Sequence, residues 1–460
     1  MLKKTRVVAV AVCSAFLPAF AVASEPAASS DIAVIKASGT VNVSLSTGRV
    51  EGNVCVTGRP PEAAGAFALN AGLNVAKVTD GNGKAVSFEG WYEPGTDGEA
   101  RVYTVAGAPD VLCVDYVGAF PVYPAHDAPD DFKGVMAFNG DSARFAEQSA
   151  WLPLPFDDKA RARAGNMTYD LSISCDGCRF LYVNGSAIGV GQRGRFSSAI
   201  ARPPLFFGGT GPMTQTANVT IVNEAVPSAQ TDALSNTVGK VAAYYRDYMG
   251  RPIADQPIFL RMVTLNQNQR DREGSEWAFA TWPTIAMSGS VGGIGTELLT
   301  SGEKRDGNLA FIAHEMGHYY FGTLASPHGP YLWFTLESTA EFLSIKALRS
   351  LSGDAAAQRH IDRLVENVAA QKEPFVALDK ITDQSSIDEN YRYNYGPLLL
   401  ISLEKQIGET KMRSFMRHLL SAQNVETWSD LQAVAARAGI DEATWERWRS
   451  TCVADGKRAC

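Results

Sequence analysis

Residues 311–320 read FIAHEMGHYY, with His314 and His318 four apart and Glu315 directly after the first histidine. In a helix, positions i and i+4 share one face about 5–6 Å apart, so both imidazoles can point at one object. The neighbours Phe311, Ile312, Ala313 and Met316 are apolar, which drives this face into a core. Two imidazoles and a carboxylate taken out of water need partners. A fold that accepts this stretch must therefore bring complementary groups to the helix.

The chain offers such groups nearby. Eighteen residues beyond His318, the stretch YLWFTLESTAEFLSIKALRS carries Glu337 and Glu341, again four apart. A loop and half a helix of that length can return a carboxylate to the first helix. Two imidazoles and one carboxylate form the donor set of a catalytic zinc site, in which three protein ligands leave one position for water. His314, His318 and Glu337 are the expected ligands of a single Zn2+. Glu315, offset about 100° from His314 around the axis, stands beside the ion rather than on it and can take a proton from water. Glu341, one turn on, either holds the far nitrogen of a ligating histidine or is a plain surface carboxylate. His328, in the linking turn, is read as a loop residue, with a stray ligand as the alternative. A bare motif of this kind arises by chance in roughly one chain in a hundred of this length. The competing reading is a core helix with two satisfied histidines; concentration of two of the six histidines here weighs against it.

At 460 residues the chain predicts two or three domains. Residues 1–23 have a basic start (Lys3, Lys4, Arg6), an apolar run and a small-residue AVA ending, the pattern of a secretory signal cleaved before Ser24; a retained anchor is the competing reading. No later run is apolar enough to span a bilayer. The chain is thus expected to be exported, to the periplasm or outside the cell. Six cysteines remain after the signal, an even number that suits disulfides in an exported chain. The local pairs Cys175–Cys178 and Cys452–Cys460 would leave Cys55–Cys113, one of fifteen connectivities; CDGC also has the spacing of a thiol redox motif. A net charge of −7 and the lack of a basic stripe argue against nucleic acid as a partner.

After a linker at 24–31, residues 32–226 alternate in short runs broken by Gly, Asn and Asp (VNVSLSTGRVEGNVCVTG, TYDLSIS, RFLYVNGSAIGV), which predicts an all-β domain. Asn184-Gly185 predicts a hairpin. Asn166, Asn184 and Asn218 head glycosylation sequons. Residues 227–460 read as α+β: a helix ending at Gly250, the strand PIFLRMVTL, then WAFATWPTIAMSGSVGGIG as a strand followed by glycines. Helices are expected at 306–323, 331–351, 355–370, 390–407, 409–422 and 427–438.

His314, Glu315, His318 and Glu337 fall on the positions of the gluzincin metallopeptidases, and the sequence resembles the membrane alanyl aminopeptidase and leukotriene hydrolase family in particular. SAWLPLPFDD, TYDLSIS and FLYVNGSAI are similar to that family's N-terminal β-domain, and YRYNYGPLLLISLEKQIGE to its tyrosine-bearing helix start. The resemblance implies a β-sandwich-like N-terminal domain before a thermolysin-like zinc metallopeptidase domain. It also implies that Tyr393, three residues before Gly396, stabilises the oxyanion, with Tyr391 and Tyr395 as rivals. Two departures stand out. The family's Gly-x-Met-Glu-Asn stretch, whose glutamate grips the substrate amine, corresponds here to SGSVGGIGTE, where only Glu297 follows and falls a few residues late. Leu336 precedes the third ligand where the family prefers asparagine. In addition, the resemblance leaves no stretch here for the large C-terminal helical domain of many relatives, so a more open cleft is expected.

These readings converge on zinc-dependent hydrolysis of peptide bonds by an exported aminopeptidase-like enzyme, with exo or endo action and oligomeric state left open. Two alternatives accompany it: a non-catalytic peptide- or envelope-binding protein with a structural zinc, and hydrolysis of a non-peptide bond on the same scaffold.

Overall fold

A computed structural model describes residues 34–92, 100–123, 135–159, 162–262, 278–454 and 456. The expected signal at 1–23, the linker at 24–31 and Cys460 lie outside the described residues. Among the described residues no helix is long and apolar enough to cross a membrane.

The alternating stretches before residue 226 form strands, as their period-2 pattern requires. In strand Lys36–Ser44, Val41 and Val43 point inward and Thr40 and Asn42 outward; its antiparallel neighbour Arg49–Thr57 does the same with Val50, Val54 and Val56. They sit in a six-stranded sheet whose only parallel pair joins Lys36–Ser44 to Met167–Asp176. Two five-stranded sheets share one apolar core with it, a sandwich-like arrangement whose second layer is split. Trp151, fully buried, lies against Phe145 and Phe206 in that core and donates its indole N–H to the Pro204 carbonyl at 2.9 Å. Cys55 and Cys113 stand opposite one another on paired strands and form a disulfide; Cys175 and Cys178 form another across their turn. Cys452 is disulfide-bonded as well.

The Asn184-Gly185 turn links strands Phe180–Val183 and Gly189–Val190, with Gly185 at φ +85°. Asn184 itself is fully buried, so the glycosylation reading fails there: its side chain is committed to the interior.

A fourth sheet orders its strands Met213–Gln215, Thr220–Val222, Ile258–Arg261, Thr284–Met287 and Ala278–Thr281. The first two precede residue 226 and the other three follow it, and Thr220–Val222 pairs in parallel with Ile258–Arg261. Helix α1 (Ser228–Met249) buries Leu234, Val238, Val241, Tyr245 and Tyr248 and stops at left-handed Gly250, the common glycine termination. Helix α2 (Val291–Leu298) corrects the reading of SGSVGGIGTE as a glycine-rich strand end. Ser290 caps it, and the Glu224 carboxylate accepts from the Val291 and Gly292 amides at 2.8 and 2.9 Å. Gly295 serves close packing: a Cβ there would lie 2.6 Å from Gln230 Cβ and 2.7 Å from its carbonyl oxygen on α1.

Helix α3 (Glu303–Gly317) carries the histidine motif and packs on α4 (Thr339–Ser352), which a π-helical turn, Phe334–Ser338, precedes. Gly317 lets the two approach, since a Cβ there would meet Ala340 Cα at 3.1 Å. Then come α5 (Asp354–Ala369), a second π-helical turn at Tyr391–Tyr395 leading into α6 (Gly396–Ile407), α7 (Glu409–Ser421), α8 (Trp428–Arg437) and α9 (Glu442–Trp448), the last not expected from the sequence.

Candidate metal centre

The helix α3 spacing and the π turn before α4 bring the three expected ligands together. Nε2 of His314 and Nε2 of His318 each lie 3.3 Å from Glu337 Oε2, and one donor atom from each residue lies within 4.8 Å of the others. A tetrahedral ion with ligand bonds of about 2.0–2.1 Å has donor-to-donor edges of roughly 3.3–3.4 Å, so the nitrogen–oxygen spacings fit. Ring orientation fits too. His314 Nδ1 is 2.8 Å from Glu341 Oε2 and His318 Nδ1 is 3.3 Å from the Phe321 carbonyl. Each acceptor draws a ring proton to Nδ1, so that in the neutral, ion-binding rings the Nε2 lone pair faces Glu337.

This group is mostly buried, with His314, Glu337 and Glu341 each under a tenth exposed. Burial alone would discharge His314, but Glu337, Glu341 and Glu315 outweigh it and hold the metal-free ring well above its usual range. Burial would likewise raise Glu337; the His318 charge and hydrogen bonds from both rings instead hold it well below. Glu341 is no surface carboxylate. Burial acts to raise it, yet the hydrogen bonds from His314 and His360 bring it down to about 2. His360, whose Nε2 is 2.6 Å from Glu341 Oε1, was not singled out from the sequence; on an amphipathic helix 19 residues beyond Glu341, nothing local marks it.

His314, His318, Glu315, Glu337 and Tyr393 all line one cavity of about 590 Å³. The Tyr393 ring centroid is 5.8 Å from that of His314. Tyr391 and Tyr395 are fully buried and lie against Phe375, at 5.5 and 4.5 Å. Residues i and i+4 share a helix face while i+2 points away, so the spacing itself separates Tyr393 from its rivals. Burial and the carboxylates of Glu337 and Glu315 push the Tyr393 phenol far up, which keeps it a proton donor. His328 is exposed and bonded to Ser326 and Asn424, away from the donor group.

The edge strand Ala278–Thr281, with Trp282 after it, also lines the cavity. It carries no acid. Glu297, at the end of α2, accepts from Asn308 and faces Lys304 at 3.5 Å, and it does not line the cavity. Besides Glu315, Glu337 and Glu341, the cavity is lined by Glu147, contributed from the N-terminal half; its Oε2 is buried without a hydrogen-bond partner among the described residues. Sequence reasoning missed it because the strand-rich segment around it carries no motif. Trp282 is held from the same half: its carbonyl accepts from Arg202 Nη1 at 3.1 Å and Asn184 Nδ2 at 3.2 Å.

Neither a protein-family model nor a curated protein sequence matches this chain. Solved structures do. Yeast LTA4 hydrolase superposes with a TM-score of 0.67 at 14% identity, over 91% of this chain and 66% of that one; its complex with bestatin gives 0.66 at 14%, over 92% and 70%. A mutant M1 zinc metallopeptidase from Deinococcus radiodurans, bound to a Tyr-Ser-Ala substrate, gives 0.61 at 14%, over 92% and 94%. The chain spans about two thirds of the LTA4 hydrolase it matches. Its architecture, a β-rich N-terminal part followed by a region dominated by helices, is the fold of these M1 metallopeptidases and LTA4 hydrolase.

Proposed function

We propose that this protein is a zinc peptidase that removes residues from the free amino end of peptides. The observation that carries the reading is the 3.3 Å convergence of His314, His318 and Glu337 on a cavity that Glu315 also lines. A zinc ion held by those three residues would polarise the scissile carbonyl and acidify a water molecule. Glu315 would take the water's proton and deliver it to the leaving amine nitrogen. Tyr393, kept protonated by its surroundings, would donate a hydrogen bond to the developing oxyanion. Glu147 supplies the amine grip that no acid on the edge strand provides: its bare carboxylate oxygen is an acceptor for a substrate ammonium. The strand Ala278–Thr281, last in its sheet among the described residues and lining the cavity, can pair with an extended peptide backbone.

The same reading places the enzyme outside the cytoplasm. Two disulfides suit an oxidising compartment, and residues 1–23 would be the export signal; the mass of the mature protein tests cleavage before Ser24.

The functional test is a fluorogenic dipeptide offered with a free and with an acetylated amino group. Glu315→Gln should keep its zinc and lose about 10²–10⁴-fold in turnover. Glu147→Gln should lose most of the discrimination between the two substrates. Undiminished hydrolysis by Glu315→Gln would refute the mechanism, and equal cleavage of both substrates by the unmodified enzyme would refute exopeptidase action.

A further inference from the structure

His360 lies on α5, outside the ligand set, yet it lines the same cavity. Its Nε2 reaches Glu341 Oε1 at 2.6 Å, while Glu341 Oε2 is 2.8 Å from His314 Nδ1. On the other side of the ring, Arg363 Nη2 is 3.3 Å from His360 Nδ1. The proton positions along this chain follow from the chemistry of its members. A guanidinium only donates, so His360 Nδ1 accepts and the proton of the neutral ring sits on Nε2, which donates to Glu341. An ionised carboxylate only accepts, so the other oxygen takes the Nδ1 proton of His314. Once an ion has displaced the Nε2 proton, this leaves the His314 Nε2 lone pair directed at the space between Glu337 and His318. No other described side chain donates to Glu341 Oε1, and Glu341 is 9% exposed. Without His360, one oxygen of a buried carboxylate would be bare, and the group could rotate away from His314.

We infer that His360 is a positioning residue for the metal centre: by pinning the second oxygen of Glu341, it fixes the orientation and tautomer of His314 and so strengthens retention of the ion. The inference rests on the zinc reading of the site. It concerns ion affinity, which is measured without turnover.

The experiment is zinc competition against a chromophoric chelator for His360→Ala, His360→Gln, Glu341→Ala and the Glu341→Ala/His360→Ala pair, with folding followed by circular dichroism. His360→Ala should weaken zinc binding about 10–100-fold, the usual cost of losing an outer partner of a ligand. His360→Gln, which keeps an N–H at a similar reach, should recover most of that loss. In the Glu341→Ala background, removing His360 should change nothing further, because its effect passes through Glu341. Wild-type affinity in His360→Ala, no recovery by Gln, or a second independent loss in the double variant would each overturn the inference. If His360→Ala fails to fold, His360→Leu is compared with His360→Gln on the same criteria. His318→Ala separates the two levels: should it retain zinc, the metal centre itself is wrong; should it lose zinc while His360→Ala does not, only the role of His360 falls.

Discussion

Substituting Asn184 tests how the N-terminal half holds the cleft wall. Its amide is fully buried. Nδ2 donates to the Pro203 and Trp282 carbonyls, both at 3.2 Å, and Oδ1 accepts from Thr284 Oγ1 at 2.8 Å. Tyr182 Oη stands 2.7 Å from Thr284 Oγ1 and 3.2 Å from Asn184 Oδ1. Each hydroxyl has one proton, so Tyr182 donates to Thr284 when Thr284 donates to Asn184. Asn184→Ala therefore removes three hydrogen bonds, each worth about 1 kcal/mol net. The Tyr182–Thr284 bond survives, and the Trp282 carbonyl keeps Arg202. The expected loss is about 3 kcal/mol, most of it from the Pro203 carbonyl left bare and the amide site emptied. Asn184→Asp changes fewer atoms but should cost more, because it sets a carboxylate oxygen against two carbonyl oxygens in a buried site. The assay is urea unfolding of the zinc-loaded protein, read as a shift of midpoint at constant slope. A loss under about 1 kcal/mol for the alanine, or an aspartate variant as stable as the alanine one, would show that the amide is not the clamp described here.

Three other outcomes are expected. Tyr393→Phe should cost about 3–4 kcal/mol of transition-state stabilisation, a fall of hundreds-fold in kcat, while Tyr391→Phe, buried against Phe375, should leave kcat near its starting value; steady-state kinetics on one substrate distinguishes them. Gly295→Ala should destabilise by about 1–3 kcal/mol through overpacking, since its Cβ meets Gln230, and a melting curve measures that. Zinc affinity of the chelated protein should fall as pH falls. The His314 ring is held protonated by its carboxylate neighbours, so the ion must displace that proton, costing about tenfold in affinity per pH unit below the raised pKa. Zinc titrations by calorimetry in buffers of different ionisation enthalpy would detect the released proton; its absence at neutral pH would contradict the charge state derived for the site.

Much of the geometry of the histidine site was legible because it is local. The i, i+4 histidines, the adjacent Glu315 and the two glutamates of the next helix are fixed by helical geometry, and only the return of one helix onto the other had to be supplied. Strands Lys36–Ser44 and Arg49–Thr57 were legible for a similar reason: a period of two places Val41, Val43, Val50 and Val54 on one face whatever the partner. The segment at 288–298, expected as glycines following a strand because glycines carry no helical periodicity in sequence, is helical instead. The glycines are helical because Glu224, 67 residues away from Val291, satisfies the first amides, and at Gly295 α1 comes too close to admit a side chain.

The sequence by itself determined the types and spacing of the groups on the histidine helix and the helix after it, since each follows from the rotation of a single helix, but it left Tyr391, Tyr393 and Tyr395 as rivals, which burial of the first and last against Phe375 separates. Tertiary structure alone decided which groups meet across elements. It brought Glu147 into the cavity from the N-terminal half, placed His360 against Glu341, and chose Ala278–Thr281 rather than the glycine-rich stretch as the cleft wall. These are contacts between segments far apart in the chain, where no periodicity carries information and only the packing of shared cores brings the groups together.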